Sequence, residues 1–221
     1  MEILDSYQQV FKKGTLIADR YEITEILGHG GMGTVIKVID KNLDNTVVAL
    51  KVLNPSLVQD KKIFARFRNE VLIARELAHP NIVKLYDLGY NGNQMYFISM
   101  EYVEGKNLGE IIYGTPDPLP FKTIANILFE MAVGLHAAHL KKIIHRDIKP
   151  DNILISETGE VKITDLGLAR TLTVDKGYTN TGEAVGTPYY MSPEQVRGEQ
   201  IDLRADIYGY GILGFELFCG H

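Results

Sequence analysis

The chain has 221 residues and a single cysteine, Cys219, so no intrachain disulfide can form. That suits a reducing compartment. Positive charge is not in excess: 23 Lys+Arg stand against 28 Asp+Glu, for a formal net charge of −5. With no basic block or stripe, nucleic acid is not expected as a principal partner. Long uninterrupted apolar runs are also missing. Glu130 breaks the stretch 121–140 and Glu216 the stretch 207–219, so neither is expected to span a membrane. The opening Met1-Glu2-Ile3-Leu4-Asp5-Ser6 has no basic region leading into an apolar one, as a secretory signal requires. These absences point to a cytoplasmic chain and leave open a membrane anchor beyond its end. What remains is 45% hydrophobic and 23% charged. That is the composition of a soluble globular protein, long enough for one large domain or two small lobes.

Periodicity divides the chain in two. Tyr21 to Leu27 alternates apolar and polar residues, Thr34 to Ile39 is β-branched, and Thr46 to Leu53 supplies a third strand carrying Lys51. The connections are too short for crossover helices, so an antiparallel meander is expected. Ile63, Phe67, Val71, Ala74 and Leu77 then recur at helical spacing over 60–78, and Pro80 ends the run. Strands at 82–88 and 95–101 complete five strands and one helix. The second half is mainly helical: 106–113, a long helix over 121–141, and a last helix over 204–219, with short strands near 153–155 and 161–163. A polar, Thr-rich loop runs from about 168 to 187, a length that usually serves function. The boundary is expected near Val103-Glu104-Gly105, with 1–20 as an extension ahead of lobes 21–103 and 104–221.

Three motifs carry chemistry. Residues 145–152 read His-Arg-Asp-Ile-Lys-Pro-Asp-Asn. They set the carboxylate of Asp147, the ammonium of Lys149 and the amide of Asn152 in one loop between apolar runs, an arrangement more typical of chemistry than of packing. Asp165-Leu166-Gly167 is a second acidic turn after an apolar strand. Gly28-x-Gly30-x-x-Gly33 is weak alone, because dinucleotide-binding turns share the spacing. Those turns lead into a helix, whereas here Thr34-Val35-Ile36 leads into a strand. The segment is therefore a hairpin whose tip can offer backbone N–H groups to phosphates. Lys51, mid-strand in Val48-Ala49-Leu50-Lys51, needs a counter-charge if buried, and Glu70 in the following helix is the expected partner.

Taken in order, Gly28-x-Gly30-x-x-Gly33-x-Val35, Val48-Ala49-Leu50-Lys51, Glu70, His145-Arg146-Asp147, Asn152, Asp165-Leu166-Gly167 and Ser192-Pro193-Glu194 resemble the protein kinase family. Within it the chain resembles the eukaryotic-type Ser/Thr kinases of bacteria, from about Tyr21 to the C-terminus. The resemblance implies an α+β, bilobal protein-kinase fold. It would have a five-stranded antiparallel N-lobe with one helix, and a mainly helical C-lobe. It implies ATP in the cleft between them, Mg²⁺, and transfer of the γ-phosphoryl group to protein Ser or Thr hydroxyls. Lys51, steadied by Glu70, would hold the α- and β-phosphates. Asp165 and Asn152 would ligate Mg²⁺, which demands hard oxygen donors. Asp147 would accept the substrate hydroxyl proton, and Lys149 would neutralise charge on the transferring group. Met100 matches the gatekeeper and Glu101 to Val103 the adenine-binding hinge, while Val35, Ala49 and Leu154 would sandwich the ring.

The same resemblance implies regulation. Thr179 and Thr181 match loop threonines phosphorylated in bacterial relatives, and Arg146 would pair with such a phosphate, pointing to trans-autophosphorylation in a homodimer. Thr187 matches the position that bonds the catalytic Asp and Lys in Ser/Thr kinases. Leu166 stands where Phe is usual and Ser192 where Ala is common. Three further helices follow in the family after the one expected at 204–219, so the C-lobe is expected to be incomplete and to expose Ile212, Phe215 and Phe218. A non-catalytic nucleotide-binding module and a small-metabolite kinase are the competing readings. The intact catalytic set argues against the first, and the Thr187 and Ser192-Pro193-Glu194 segments argue against the second.

Overall fold

A computed structural model describes residues 11–92, 95–114, 117–167 and 188–219. Strands β1 (Leu16–Ile17), β2 (Tyr21–Gly30), β3 (Gly33–Asp40), β4 (Thr46–Leu53), β5 (Leu85–Tyr90) and β6 (Tyr96–Glu101) form one antiparallel sheet in the order β1-β2-β3-β4-β6-β5. Alternation decides which side chains share a face. Ile36 pairs with Leu50, Val38 with Val48 and Val52 with Phe97, so these residues lie on one face. Tyr21 and Ile23 join them, and Phe11 and Ile17 close over the cluster. Burying each such side chain contributes about 1.5–3 kcal/mol. At the sheet corner Asp40 is buried and takes two bonds from Arg20, at 2.8 and 2.7 Å. The β3–β4 turn uses Asp44 and Asn45 at φ 44° and 58°, residue types that tolerate the left-handed region.

The chain forms two compact units: Met1–Ala65 with Leu85–Tyr102, and Arg66–Lys84 with Val103–His221. Helix α1 (Pro55–Val58) is short, and α2 (Lys61–Arg75) begins in one unit and ends in the other. The second unit also holds α3 (Leu108–Gly114), α4 (Phe121–Leu140), α5 (Pro193–Val196) and α6 (Arg204–Cys219). Its antiparallel sheet runs β7 (Gly105–Asn107), β8 (Ile153–Ser156) and β9 (Val161–Ile163). Ile124, Ile127, Met131 and Leu135 of α4 pack against Ile148, Ile153, Val161, Ile163, Leu213 and Leu217. By length and composition α4 is apolar enough to cross a membrane. Its Glu130, however, accepts bonds from Asn81, Asn126 and Val161.

Several expectations differ in detail. A sixth strand, β1, joins the five expected; two residues are too few to carry a period. The expected helix at 106–113 begins at Leu108, because Asn107 ends a strand and caps the helix. Its Oδ1 accepts Glu110 N–H at 2.8 Å, while Glu110 Oε2 accepts Asn107 N–H at 2.9 Å. Of the expected helical stripe, Phe67, Val71, Ala74 and Leu77 are buried. On α6, Phe215 and Phe218 are exposed, but Ile212 is half-buried.

Candidate active site

The first unit places part of the expected set on the sheet face opposite its core. Gly28 pairs with Val35, Val35 with Lys51, and Ala49 with Met100. Direct antiparallel partners share a side, so Val35, Ala49, Lys51 and Met100 line up together. Lys51, Ala49 and Met100 are buried. Glu101 ends β6 opposite Val48 and therefore faces the other way. The Gly28–Gly33 segment is the β2–β3 hairpin, pinned where His29 Nδ1 meets Thr34 Oγ1 at 3.0 Å. Gly33 has φ 143°, and a Cβ there would lie 1.9 Å from Val52 O. A Cβ on Gly28 or Gly30 would meet nothing within 4 Å. Of these three glycines, packing among the described residues requires Gly33 alone.

The second unit gathers Asp147, Lys149, Asn152 and Asp165. Residues 145–149 follow an irregular path after α4, and Pro150–Asn152 form one 3₁₀ turn. Asp147 Oδ2 accepts from Lys149 Nζ and from Asn152 Nδ2, both at 2.9 Å. Asn152 Nδ2 also reaches Asp147 O at 2.7 Å. With its nitrogen so engaged, the Asn152 amide oxygen makes no hydrogen bond among the described residues. The β8–β9 hairpin then does the positioning. Ile153 pairs with Ile163, and Thr164 N–H donates to Asn152 O at 3.0 Å. Asn152 and Asp165 therefore flank the open end of one hairpin. Asp165 sits at φ 62° and Gly167 at φ 69°. Leu166 between them is buried with Leu77, Ile82 and Ala138, so the turn is anchored by its apolar member. Leu154, in β8, pairs with Lys162. Val103 follows β6 and is half-buried.

His145 and Arg146 brace this loop. His145 is fully buried; its Nε2 donates to Thr164 O at 2.7 Å and its Nδ1 accepts Asp147 N–H at 3.2 Å, an arrangement that places the ring hydrogen on Nε2. Arg146 has φ 70°. Its Nη1 donates to Glu70 Oε1 at 3.2 Å, and its Nε is buried without a partner among the described residues. Glu70 and Lys51 fall in different units. Thr179, Thr181 and Thr187 lie outside the described residues.

Sequence reasoning passed over three residues here. Asp206 of α6 accepts from His145 N at 2.8 Å, Arg146 N at 2.7 Å and His139 Nε2 at 2.8 Å. Burial pushes its carboxyl upward, but these donors outweigh burial and hold it below the usual carboxylate range. The third is Gln195, whose Nε2 donates to Arg146 O at 2.7 Å. A carboxylate opening the mostly apolar 204–219 helix was the one available signal for Asp206; His139 and Gln195 carried none. Nearby, Glu216 accepts from Tyr113 at 2.5 Å and from Tyr190. Burial and then those contacts raise the Tyr190 hydroxyl.

Among the described residues no group of three His, Cys, Asp or Glu could cage a metal. The donor set of one carboxylate and one amide oxygen instead fits an ion that completes its shell with phosphate and water oxygens, as Mg²⁺ does.

Residues 21–221 match the protein kinase domain family. The serine/threonine-protein kinase PknB of Mycobacterium leprae is 40% identical over 207 residues, covering 92% of this chain and 33% of its own length. PrkC of Bacillus subtilis is 42% identical over 207 residues, covering 94% of this chain and 31% of its own length. The chain thus spans about a third of the curated relatives it matches. A crystal structure of the Mycobacterium tuberculosis PknI kinase domain superposes with a TM-score of 0.76 at 28% identity, over 94% of this chain and 77% of that one.

Proposed function

This chain belongs to the protein kinase domain family, and from that premise we propose that it transfers the γ-phosphoryl group of Mg-ATP to serine or threonine hydroxyls of proteins. The carrying observation is the Asp147 carboxylate held at 2.9 Å by both Lys149 and Asn152. Asp147 accepts the proton of the attacking hydroxyl and aligns it. Lys149 offsets charge gathering on the transferred group. That assistance matters because a loose phosphoryl-transfer transition state needs electrostatic support more than covalent help. Lys51 binds the α- and β-phosphates with Glu70 as its support. Gly28 and Gly30, which packing does not require, let the hairpin backbone approach the nucleotide. Val35, Ala49, Met100 and Leu154 contact adenine, and Glu101 to Val103 bond it through the backbone. Asn152 and Asp165 hold Mg²⁺, which when bound shields phosphate charge.

The working lobes are 21–103 and 104–221, preceded by an extension of residues 1–20, and the setting is the cytoplasm. Thr179 and Thr181 are autophosphorylated in trans within a homodimer. The Nε of Arg146, buried without a partner among the described residues, supports a phosphate partner for that guanidinium. Thr187 is assigned the part of favouring Ser/Thr acceptors. Incubation with radiolabelled Mg-ATP and a generic basic protein tests the reading. Label on phosphoserine or phosphothreonine, abolished in Asp147→Asn, is the expected result. Nucleotide binding with no transfer by the wild type would instead make the chain a non-catalytic module.

A further inference from the structure

The peptide group joining Arg146 to Asp147 is pinned at both ends. Its N–H, on Asp147, donates to His145 Nδ1 at 3.2 Å. Its C=O, on Arg146, accepts from Gln195 Nε2 at 2.7 Å. The preceding peptide is fixed as well, since Arg146 N–H donates to Asp206 Oδ1 at 2.7 Å. These restraints act on a residue at φ 70°, a backbone region that L side chains disfavour and leave unless held.

Gln195 faces two ways. Its Oε1 accepts Ser192 N–H at 3.0 Å and so closes the first turn of α5. Its Nε2 reaches the catalytic loop, 49 residues away in sequence. The amide accepts on one side and donates on the other. A carboxylate cannot donate, and an ammonium cannot accept.

We propose that Gln195 is a positioning residue for Asp147: its amide fixes the plane of the Arg146–Asp147 peptide, and with it the direction of the Asp147 carboxylate. This rests on the assignment of Asp147 as the proton acceptor. It couples the segment 188–196 to the catalytic loop through one side chain. Loss of the Nε2 bond frees the peptide to rotate, and Arg146 relaxes toward negative φ. The Asp147 carboxylate then leaves the position set by Lys149 and Asn152.

Gln195→Glu separates the two roles, because it keeps the acceptor for Ser192 N–H and turns the donor toward Arg146 O into an acceptor. The 221-residue chain and this variant are compared by steady-state kinetics and by amide hydrogen exchange of 143–149, with 193–198 as internal control. The expected result is a kcat lower by on the order of ten- to hundredfold, as for small misplacements of a reacting group. The apparent KM for ATP stays within about twofold. Exchange over 143–149 accelerates, while 193–198 is unchanged. Wild-type kcat together with wild-type exchange over 143–149 would overturn the proposal. If the Glu variant fails to fold, Gln195→Met removes both bonds without repulsion, and unaltered exchange at 143–149 would again refute it. Should the wild type bind nucleotide without transferring phosphate, the kinase reading fails, yet the exchange comparison still decides the role of Gln195.

Discussion

Asp206→Asn tests most directly how the catalytic loop is held. The Asp206 side chain is 0% exposed. Its Oδ2 accepts from His139 and His145, and its Oδ1 from Arg146. An asparagine has the same shape but offers one acceptor oxygen. Whichever way the amide turns, its NH₂ faces at least one buried N–H. Orphaning a buried donor costs about 1–3 kcal/mol, and hydrogen bonds to a charged acceptor are worth about 1.5–3 kcal/mol. The combined loss is set at about 3 kcal/mol. For a chain of this size each kcal/mol moves the melting point by about 2–4 °C, so a fall of about 6–12 °C is expected. Arg146, at φ 70°, loses its N–H tether in the turned arrangement, and kcat drops on the order of 100-fold. Circular dichroism melting and phosphoryl-transfer kinetics on the same preparation give both numbers. A melting point within about 1 °C of wild type, with unchanged kcat, would refute the account of Asp206 as the anchor of this loop.

Two further outcomes concern the first unit. The Arg20 hydrogen bond holds the Asp40 carboxyl below its usual range. A folded value below the unfolded one gives stability that is present at neutral pH and lost as pH falls through the folded value. Arg20 is 35% exposed, so solvent screening limits the pair to about 1 kcal/mol. The urea-midpoint gap between wild type and Asp40→Asn should be full at pH 7 and shrink below about pH 4; a gap that widens on acidification contradicts this. Gly33→Ala places a Cβ 1.9 Å from Val52 O at φ 143° and is expected to destabilise by about 2 kcal/mol or more. Gly30→Ala, with open space around it, should change stability by less than about 0.5 kcal/mol. Equal shifts would remove the distinction drawn between these glycines.

Much of this protein is written locally. Gly33–Asp40 buries every second side chain, and Phe121–Leu140 buries Ile124, Ile127, Met131, Leu135 and Ala138 at helical spacing, so both declare their elements by residue type and period. The order of the glycine hairpin, Lys51, His145-Arg146-Asp147 and Asp165-Leu166-Gly167 carries the family in the same way. Elements too short to show a period, Leu16–Ile17 and Gly105–Asn107, were invisible. Their pairing energy comes from neighbouring strands rather than from their own pattern.

The contacts that aim the chemistry belong to the tertiary structure alone. Nothing near Gln195 says that its amide will meet Arg146 O, nor does His139 announce Asp206, 67 residues on. A lone polar side chain can bond solvent or any backbone group. Which one it bonds depends on where α4, α5 and α6 come to rest against residues 145–147. Sequence by itself therefore set the elements and supplied the reactive groups. Packing between distant segments decided their direction, because a hydrogen bond is satisfied only at a particular distance and angle, and only the folded chain sets those.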